Sequence, residues 1–184
     1  MLIRAARIEN TEDVEAILSI DHSYHTDYSW QMHLRNELSP SLEVSFQLVR
    51  LPRPAHVPSP HSPLALRRVL DRCDFIWVAQ DERSGCLQGY VAVAVVPWQN
   101  TAWVPLLAVA PAMRRRGIGR RLLQTAIARA REQRLHSLTI EVSSKNYPAT
   151  CLARAMGMRL CGYADNYYNG TDIVLFFTYR IGAR

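Results

Sequence analysis

The stretch AVAPAMRRRGIGRRLL, residues 108–123, decides the fold of this chain. An apolar run leads into it, and five arginines and two glycines then share the eight positions 114–121. Beyond the first glycine, apolar residues recur at the spacing of a helix that buries one face. They are Ile118, Leu122, Leu123, Ala126, Ile127 and Ala130. The pattern predicts a strand over 102–109, a tight turn and a helix over 117–134.

The start of this predicted helix has the properties of an anion site. The first N–H groups of a helix have no partner inside it, and the helix dipole places positive charge at the same end. Gly117 and Gly119 would let a phosphate approach the main chain, and the arginines add charged donors. The corner is therefore predicted to bind a pyrophosphate. The alternative is that the glycines only relieve crowding beside a solvated arginine face.

A dinucleotide site of the Rossmann type is a second alternative. In its favour, Glu141 closes the next predicted strand about 20 residues after the glycines, where such sites place a ribose-binding acid. Against it, Leu122 occupies the position of the third glycine in that fingerprint. The corner also lies late in the chain, with a single strand–helix–strand unit left after it.

Composition narrows the class of protein. The 184 residues, 48% of them hydrophobic, predict one domain over 1–184 with a packed core. No apolar run approaches the roughly 18 residues of a membrane span, and the first residues lack the apolar part of a signal peptide. We therefore expect a cytoplasmic protein with no membrane partner. Four scattered cysteines predict buried thiols and no metal site.

The net charge of +6 would by itself suit a nucleic-acid-binding protein. Such proteins combine basic residues with an aromatic stacking platform or a helix that enters a groove, and neither accompanies these arginines. We therefore expect no nucleic-acid partner.

The first half of the chain predicts two helices and several strands. A strand covers 2–8, a helix over 10–20 starts at Asn10 or Thr11, and a second helix over 27–38 ends at Ser39 and Pro40. His22 and His25 are interpreted as surface residues. A strand over 43–51 leads to five prolines within 52–63, which predict an extended surface loop. A short helix and a hairpin over 75–97 follow.

The second half alternates between strands and helices. After the helix over 117–134 we predict a strand over 137–142, a helix over 147–156, and strands over 158–163 and 172–181. Antiparallel strands followed by a strand–helix–strand unit predict an α/β (α+β) fold, with a mixed central sheet and helices on both faces.

Two blocks of the sequence resemble the GNAT superfamily of N-acetyltransferases. The first is the arginine and glycine corner, where Arg114, Gly117 and Gly119 fill the signature Arg or Gln, two residues, Gly, any residue, Gly or Ala. The second is LTIEVSSKNYPATCLARAMGM, which is similar to the family's next block. Its matching residues are Asn146, Ala149, Leu152, Gly157 and Met158. The resemblance covers about residues 75 to 180.

The resemblance implies a fold in which two parallel strands splay apart around acetyl-CoA, the cosubstrate. It implies main-chain bonds from Leu107, Ala108 and Val109 to the pantetheine arm, and contacts near the thioester from Asn146. It places the pyrophosphate on the corner, whose residues are Arg114, Arg115, Arg116, Gly117, Ile118, Gly119 and Arg120. Pro105 is consistent with a bulge in the first splayed strand, because proline cannot donate to a ladder.

Acetyl transfer requires a base for the amine and is assisted by an acid for the departing thiolate. Many GNAT members place a glutamate where this chain has Pro105, so Glu141 is the candidate base. Its surroundings resemble the ribosomal-protein N-terminal alanine acetyltransferases, which carry a catalytic glutamate in a similar strand. Alternation along TIEV points Glu141 away from the face of Ile140 and Val142. The alternative is a glutamate salt-bridged to an arginine.

The family's usual acid, a tyrosine, is replaced here by Ala153. Tyr167 or Tyr168, near the last connecting loop, is predicted to act as the acid or to bind substrate. Alternatively these tyrosines, with Tyr163, form an aromatic lip, and the thiolate leaves without a dedicated acid.

The acceptor is expected to be a primary amine. Asp27 could attract an ammonium group and Tyr28 or Trp30 could hold it, unless this segment only packs on the core. Parts of the sequence resemble streptothricin acetyltransferases and others the ribosomal-protein enzymes, so a small molecule and a peptide or protein N-terminus both stay open. The chain is thus predicted to be an N-acetyltransferase working by direct attack in a ternary complex, and alternatively an acyl-CoA sensor. An exposed last strand would permit a homodimer.

Overall fold

A computed structural model describes residues 1–9, 11–35, 42–168 and 172–182, with the main chain alone at Tyr168. The strands of this part are β1 Leu2–Ala5, β2 Tyr24–Arg35, β3 Glu43–Val57, β4 Phe75–Gln80, β5 Leu87–Val96, β6 Thr101–Val109, β7 Ser137–Ser143, β8 Arg159–Tyr168 and β9 Asp172–Arg180. The helices are α1 Thr11–Ser19, α2 Pro63–Leu70, α3 Ile118–Glu132 and α4 Tyr147–Ala155.

Seven strands form a mixed sheet in the order β1-β4-β5-β6-β7-β9-β8. The pair β6–β7 is parallel and the other neighbours are antiparallel. β2 and β3 form a separate two-stranded sheet. The predicted mixed sheet is confirmed, and its one parallel pair is the pair joined by α3.

Helices cover both faces of the sheet, as predicted. Along β5, Tyr90 and Ala92 lie in a core cluster with Ile17 of α1 and Leu66 of α2. The alternate residues of β5, Val91 and Val93, lie in the other cluster. That cluster contains the buried face of α3, which consists of Ile118, Leu122, Leu123, Ala126, Ile127 and Ala130. The apolar spacing of this helix thus identified its buried side before the structure did.

The helix predicted over 27–38 is wrong for residues 27–35, which belong to β2, and residues 36–38 lie outside the described part of the chain. Side chains at even positions, such as Tyr28 and Trp30, are less exposed than their neighbours Asp27 and Gln31, which is the two-residue period of a strand. Pairing with β3 from Tyr24 to Arg35 satisfies the main chain. The predicted stop at Ser39 and Pro40, and Asn10 as a helix cap, lie outside the described residues.

The proline-rich segment is also different from the prediction. β3 continues through Val57, so Pro52 and Pro54 lie in a strand, and only residues 58–62 form a connection to α2. The register of the β2–β3 pair shifts between Thr26 and Tyr28, opposite residues 51–54 of β3. Proline is tolerated in a strand at such an irregularity, and along an edge, because no ladder donor is lost there.

The cysteines are all free thiols, but the expectation that they are buried is only partly met. Cys73 and Cys151 are half-buried, whereas Cys86 and Cys161 are exposed. Cys86 follows the β4–β5 turn and Cys161 lies on β8, the last strand of the sheet, so neither is covered by a helix. In the described part of the chain, no helix is both long enough and apolar enough to span a membrane.

Candidate active site

The parallel strands β6 and β7 separate halfway along their length. Thr101 to Val104 pair with Ser137 to Ile140, and the pairing then ends. On its other side β6 has a bulge at the same place: Ala92 pairs with Leu106 and Ala94 with Trp103, so Val104 and Pro105 together face Val93. The bulge predicted at Pro105 is confirmed. β6 and β7 therefore form a fork that opens immediately after Val104 and Ile140.

Main-chain groups on one arm of the fork point into the gap. Ala110 N–H donates to Gln88 O at 2.9 Å. Along a strand of an antiparallel pair, residues whose main chain bonds to the partner strand alternate with residues whose N–H and C=O groups point to the other side. In the register of the β5–β6 pair, Ala108 is bonded to Tyr90 on β5, whereas Leu107 and Val109 direct their N–H and C=O groups away from β5. Leu107 can therefore bind an extended chain in the gap through both groups and Val109 through its N–H, because Val109 O accepts from Arg114, whereas the main chain of Ala108 is bonded to β5.

The N-terminus of α3 lies beyond the end of this arm. Gly117 has φ +79°, a conformation that side chains other than glycine rarely adopt, and a Cβ there would meet nothing within 4 Å. The first bond of the helix runs from Arg121 N–H to Gly117 O at 3.1 Å. The N–H groups of Ile118, Gly119 and Arg120 precede that bond and are available to an anion.

Gly119 keeps the space beside the helix start open. A Cβ at this position would lie 3.4 Å from Leu152 Cδ2 and 3.6 Å from Val109 Cγ2. Ile118, in contrast, has its side chain in the core, so only its main chain faces the site. The side chains of Arg115, Arg116 and Arg120 are exposed around this opening. The corner thus fits a pyrophosphate in shape and charge.

Arg114 has a different position from the other arginines. Its Nε donates to Val109 O at 2.9 Å and its Nη2 donates to Asp21 O at 2.8 Å. The guanidinium therefore joins the end of β6 to the segment between α1 and β2. We had predicted Arg114 as part of the pyrophosphate site, and the structure shows its side chain bonded to protein carbonyls.

Glu141 is the first residue of β7 beyond the paired part of the fork. Its neighbours Ile140 and Val142 are buried in the α3 core, and its carboxylate lies on the opposite face, as the alternation predicted. Oε2 of Glu141 accepts hydrogen bonds from Trp103 Nε1 at 3.1 Å and from the Tyr167 hydroxyl at 2.8 Å. A carboxylate with two donors on one oxygen stands at the base of the fork.

Tyr167 is a donor to this carboxylate. It lies on β8, which extends to Tyr168 instead of ending at 163 as predicted. Burial raises the pKa of Tyr167, and the adjacent charge of Glu141 raises the pKa further. The phenol therefore keeps its proton and donates it in the hydrogen bond. Tyr168 pairs with Asp172 through its main chain, and the position of its side chain lies outside the described residues.

The family is identified by a comparison of the whole sequence with known families. The family described as Acetyltransferase (GNAT) family matches residues 35–158, which is more than half of the chain. This chain is a GNAT protein. The predicted family is confirmed, and both sequence blocks on which the resemblance rested lie at least in part within the matched residues.

Named relatives of this GNAT chain fall into two groups. It is 37% identical to streptothricin acetyltransferase of Streptomyces lavendulae over 101 residues, 55% of this chain and 52% of that protein. It is 31% identical over 98 residues to a Bacillus subtilis (strain 168) protein with the provisional name ribosomal protein bS18-alanine N-acetyltransferase. That match covers 52% of this chain and 64% of the relative, so the aligned segments span about half to two thirds of these relatives.

A solved structure resembles this GNAT chain over nearly its full length. The crystal structure of nourseothricin acetyltransferase has a TM-score of 0.83 and 27% identity, and the match covers 98% of each chain. The similarity therefore includes β2, β3 and the helices that precede the arginine and glycine corner.

The second GNAT block has a structural explanation. Asn146 is the N-cap of α4, and its side-chain oxygen accepts from Ala149 N–H at 3.1 Å. Gly157 has φ +75° just beyond the helix, and Met158 is buried. Ala153, which stands where the family commonly has tyrosine, is fully buried in the core. These positions build α4, and position 153 contributes no acid.

The three residues predicted to hold the acceptor do not form one cradle. Asp27 is exposed, on the opposite face of β2 from Tyr28 and Trp30. The Tyr28 ring lies 4.8 Å from the ring of Tyr147. Trp30 donates from Nε1 to Thr150 Oγ1 at 3.3 Å and from its main chain to Ser144 O at 2.9 Å. These contacts attach β2 to α4, so the alternative of packing is correct for Trp30.

Two histidines near the site were missed by the sequence analysis. Nε2 of His22 lies 2.8 Å from the buried hydroxyl of Tyr90, and burial lowers the pKa of His22 to about 4, so its interpretation as a surface residue was wrong. His61 is half-buried just before α2; burial lowers its pKa, and the charge of Glu141 opposes that change. In the sequence, the only feature that singles out His61 is its position as a polar residue among prolines.

Proposed function

We propose that this protein transfers the acetyl group of acetyl-CoA to a primary amine by direct attack in a ternary complex. The observation that carries the proposal is the carboxylate of Glu141 at the base of the fork, held by Trp103 and Tyr167. On the same fork, Leu107 and Val109 present main-chain groups and α3 presents its N-terminus. A base, a channel for an extended cofactor and an anion site thus adjoin one another.

Cofactor binding is assigned to the arm formed by β6 and α3. The pyrophosphate would accept bonds from the N–H groups of the first turn of α3, with Arg115, Arg116 and Arg120 adding charge. The pantetheine arm would bond to Leu107 and Val109 in the gap where β7 no longer pairs. This places the thioester toward the base of the fork, on the side of Glu141.

The chemical step requires that the amine lose a proton before it attacks. In the proposed step Glu141 accepts a proton from the bound ammonium group, and the free amine nitrogen attacks the thioester carbonyl carbon. The new C–N bond forms, the C–S bond breaks, and the electron pair leaves with sulfur. The second amine proton neutralises the departing thiolate through solvent, since a thiolate is a tolerable leaving group near neutral pH. The products are the amide and free CoA thiol, with one proton released from Glu141.

Tyr167 is proposed to support Glu141 and not to serve as the acid. Its hydroxyl hydrogen is directed at Oε2 of Glu141, and its raised pKa keeps that hydrogen in place. With Ala153 buried, the residues at the fork offer a base and leave protonation of the thiolate to solvent.

For the acceptor we propose a small molecule with a primary amine. The full-length similarity to nourseothricin acetyltransferase and the higher identity to streptothricin acetyltransferase support this choice over a peptide N-terminus. The β2–β3 hairpin also lies against α4 and, through Phe46 and Tyr163, against β8. The β2–β3 pair therefore occupies space beside the fork that a long peptide acceptor would need.

The experiment is a continuous assay of CoA thiol release from acetyl-CoA with three acceptor pools. These are small polyamines with aminoglycoside-like antibiotics, free amino acids, and peptides with varied N-termini. Release with the first pool, lost in Glu141→Gln, is expected. Release with peptides alone would move the acceptor assignment to a protein N-terminus. Binding of acetyl-CoA by titration with no release in any pool would support the sensor alternative and contradict the transferase.

A further inference from the structure

Trp103 reaches Glu141 because of where the fork begins. On β6 it pairs with Thr139 of β7, in the last stretch where the two strands are parallel neighbours. Its neighbours Ala102 and Val104 are buried in the α3 core, so the indole lies on the opposite face of the sheet. Glu141 lies two residues beyond Thr139 and therefore shares that face. The indole is thus fixed in the closed part of the fork, while the carboxylate stands at its opening.

The contacts around Glu141 restrain its carboxylate. Trp103 Nε1 and the Tyr167 hydroxyl both donate to Oε2, from strands on different sides of β7. The ring of Phe176, which is paired with Glu141 in the β7–β9 register, lies 5.2 Å from the Trp103 ring and 6.0 Å from the Tyr167 ring. The terminal torsion of a glutamate is otherwise broad, so two donors on one oxygen select one orientation.

We infer that Trp103 is a positioning residue for the transfer reaction. Its indole N–H orients the Glu141 carboxylate and stabilises the charged form of Glu141, which then accepts the proton of the acceptor amine. This inference rests on the proposed function. It assigns a role to a tryptophan that lies outside both sequence blocks on which the family resemblance rested. Hydrogen bonds to a charged acceptor are stronger than hydrogen bonds between neutral groups. The indole donor therefore lowers the energy of the carboxylate as well as fixing its orientation.

Among the residues that the structure describes, Tyr167 and His61 are titratable groups that act on Glu141 from other elements, and their response to pH must be separated from that of Glu141. Tyr167 on β8 keeps its proton across the neutral range, because burial and the Glu141 charge raise its pKa. His61, before α2, interacts electrostatically with Glu141, and its pKa is lowered mainly by burial. A pH-dependent signal near Glu141 can therefore come from Glu141 or from His61.

The first test is a pH titration followed by NMR, and it requires no enzymatic activity. The chain has four tryptophans, so its indole N–H region contains four signals, and Trp103→Phe identifies the signal of Trp103 by its loss. As the pH is lowered we expect this signal to shift when Glu141 is protonated, because the acceptor of the indole hydrogen bond then loses its charge. The shift should disappear in Glu141→Gln and persist in His61→Gln.

Trp98 provides the internal control, because its side chain is 83% exposed in the turn before β6. Its indole signal should not respond to Glu141→Gln. A Trp103 signal that is the same in the wild type and in Glu141→Gln at every pH would overturn the inference. So would a titration that disappears in His61→Gln while remaining in Glu141→Gln.

The second test is a kinetic double-mutant cycle with Trp103→Phe and Glu141→Gln. Trp103→Phe should lower kcat by about 10-fold, a part of the roughly 10²–10⁴-fold contribution of a general base, with little change in the KM for acetyl-CoA. In the Glu141→Gln background it should cause no further loss. The acidic limb of the rate–pH profile should move to higher pH in Trp103→Phe and remain in place in Trp98→Phe.

The outcomes distinguish the inference from the proposed function. Equal losses from Trp103→Phe with and without Glu141 would show a packing role and overturn the inference while acetyl transfer stands. No release of CoA thiol from the wild type with any acceptor would contradict the proposed function, and the NMR titration would still decide whether the indole senses Glu141. An unchanged melting temperature in Trp103→Phe would exclude unfolding as the cause of a lower rate.

Discussion

The hydroxyl of Tyr167 donates to Oε2 of Glu141 across 2.8 Å, joining β8 to β7 although the two strands are separated in the sheet by β9. The tyrosine reaches over Phe176, whose ring it meets edge-on at 6.0 Å. This bond favours a supporting role for Tyr167 beside Glu141, the proposed base, over its expected role as an acid.

Tyr167→Phe should therefore lower kcat by about 10-fold, the order expected for loss of one hydrogen bond to a charged group. The acidic limb of the rate–pH profile should move to higher pH, because the charged carboxylate loses a donor. Tyr163→Phe is the matched control, since its ring packs on Phe46 and is part of the same strand. Loss of the alkaline limb, with the acidic limb unmoved, would instead identify Tyr167 as the acid for the thiolate.

Gly117→Val should abolish acetyl-CoA binding without unfolding the chain. The left-handed conformation at φ +79° would be strained by about 1–3 kcal/mol, and the side chain would project into the space assigned to the phosphate. Gly157→Val is the control, because φ is +75° and the Cβ space is equally open, but the site is at the far end of α4. Titration calorimetry measures the affinity for acetyl-CoA and thermal unfolding measures the stability, so a loss of binding can be distinguished from a loss of structure. Equal acetyl-CoA affinity in both variants would refute the phosphate assignment.

Arg114→Gln should weaken the structure, unlike changes at the exposed arginines. It removes a part-buried bond to Val109 O and an exposed bond to Asp21 O, and because water can replace the donor at Asp21 O we expect a loss of about 1 kcal/mol in the free energy of unfolding. Arg120→Gln should change stability by less than about 0.5 kcal/mol and weaken acetyl-CoA binding in a salt-dependent way. Urea unfolding of both variants tests the distinction, which fails if Arg120→Gln is as destabilising as Arg114→Gln.

His22 should make stability depend on pH. Burial lowers its pKa to about 4; the charges of His61 and Arg114 act in the same direction, and Asp21 opposes them. The unfolded chain therefore binds a proton near pH 6.5 that the folded chain does not, and the free energy of unfolding falls as pH drops from 6.5 toward 4. After discounting for partial exposure, the loss is roughly 2 kcal/mol.

His22→Gln should reduce that dependence, as measured by urea unfolding at several pH values, and the smaller part due to His61, whose pKa burial also lowers, should remain. His25→Gln, an exposed residue of β2, should leave it unchanged. A slope between pH 6.5 and 4 that is the same in the wild type and in His22→Gln would contradict the assignment.

Local patterns were sufficient for the second half of the chain. The face of α3 that packs on the sheet follows from its apolar spacing, and Gly117, Asn146 and Gly157 mark the ends of helices because capping and left-handed turns depend on a few adjacent residues. The segment of β2 was wrongly predicted as a helix because its aromatic and polar residues fit both the 3.6-residue period of a helix and the two-residue period of a strand. Pairing with β3 makes this segment a strand, and the residues of β2 alone do not specify that pairing.

The sequence by itself determined the buried face of α3, the glycines at the start of that helix and the orientation of Glu141, all of which depend on residues close together in the chain. Only the tertiary structure decided what surrounds that carboxylate. Trp103 and Tyr167 lie 38 and 26 residues from Glu141. They meet it because β6 and β7 are parallel neighbours and because Tyr167 on β8 reaches across Phe176 of β9. Strand order and register set such contacts, and both arise from packing of the whole sheet, which no short stretch of sequence encodes.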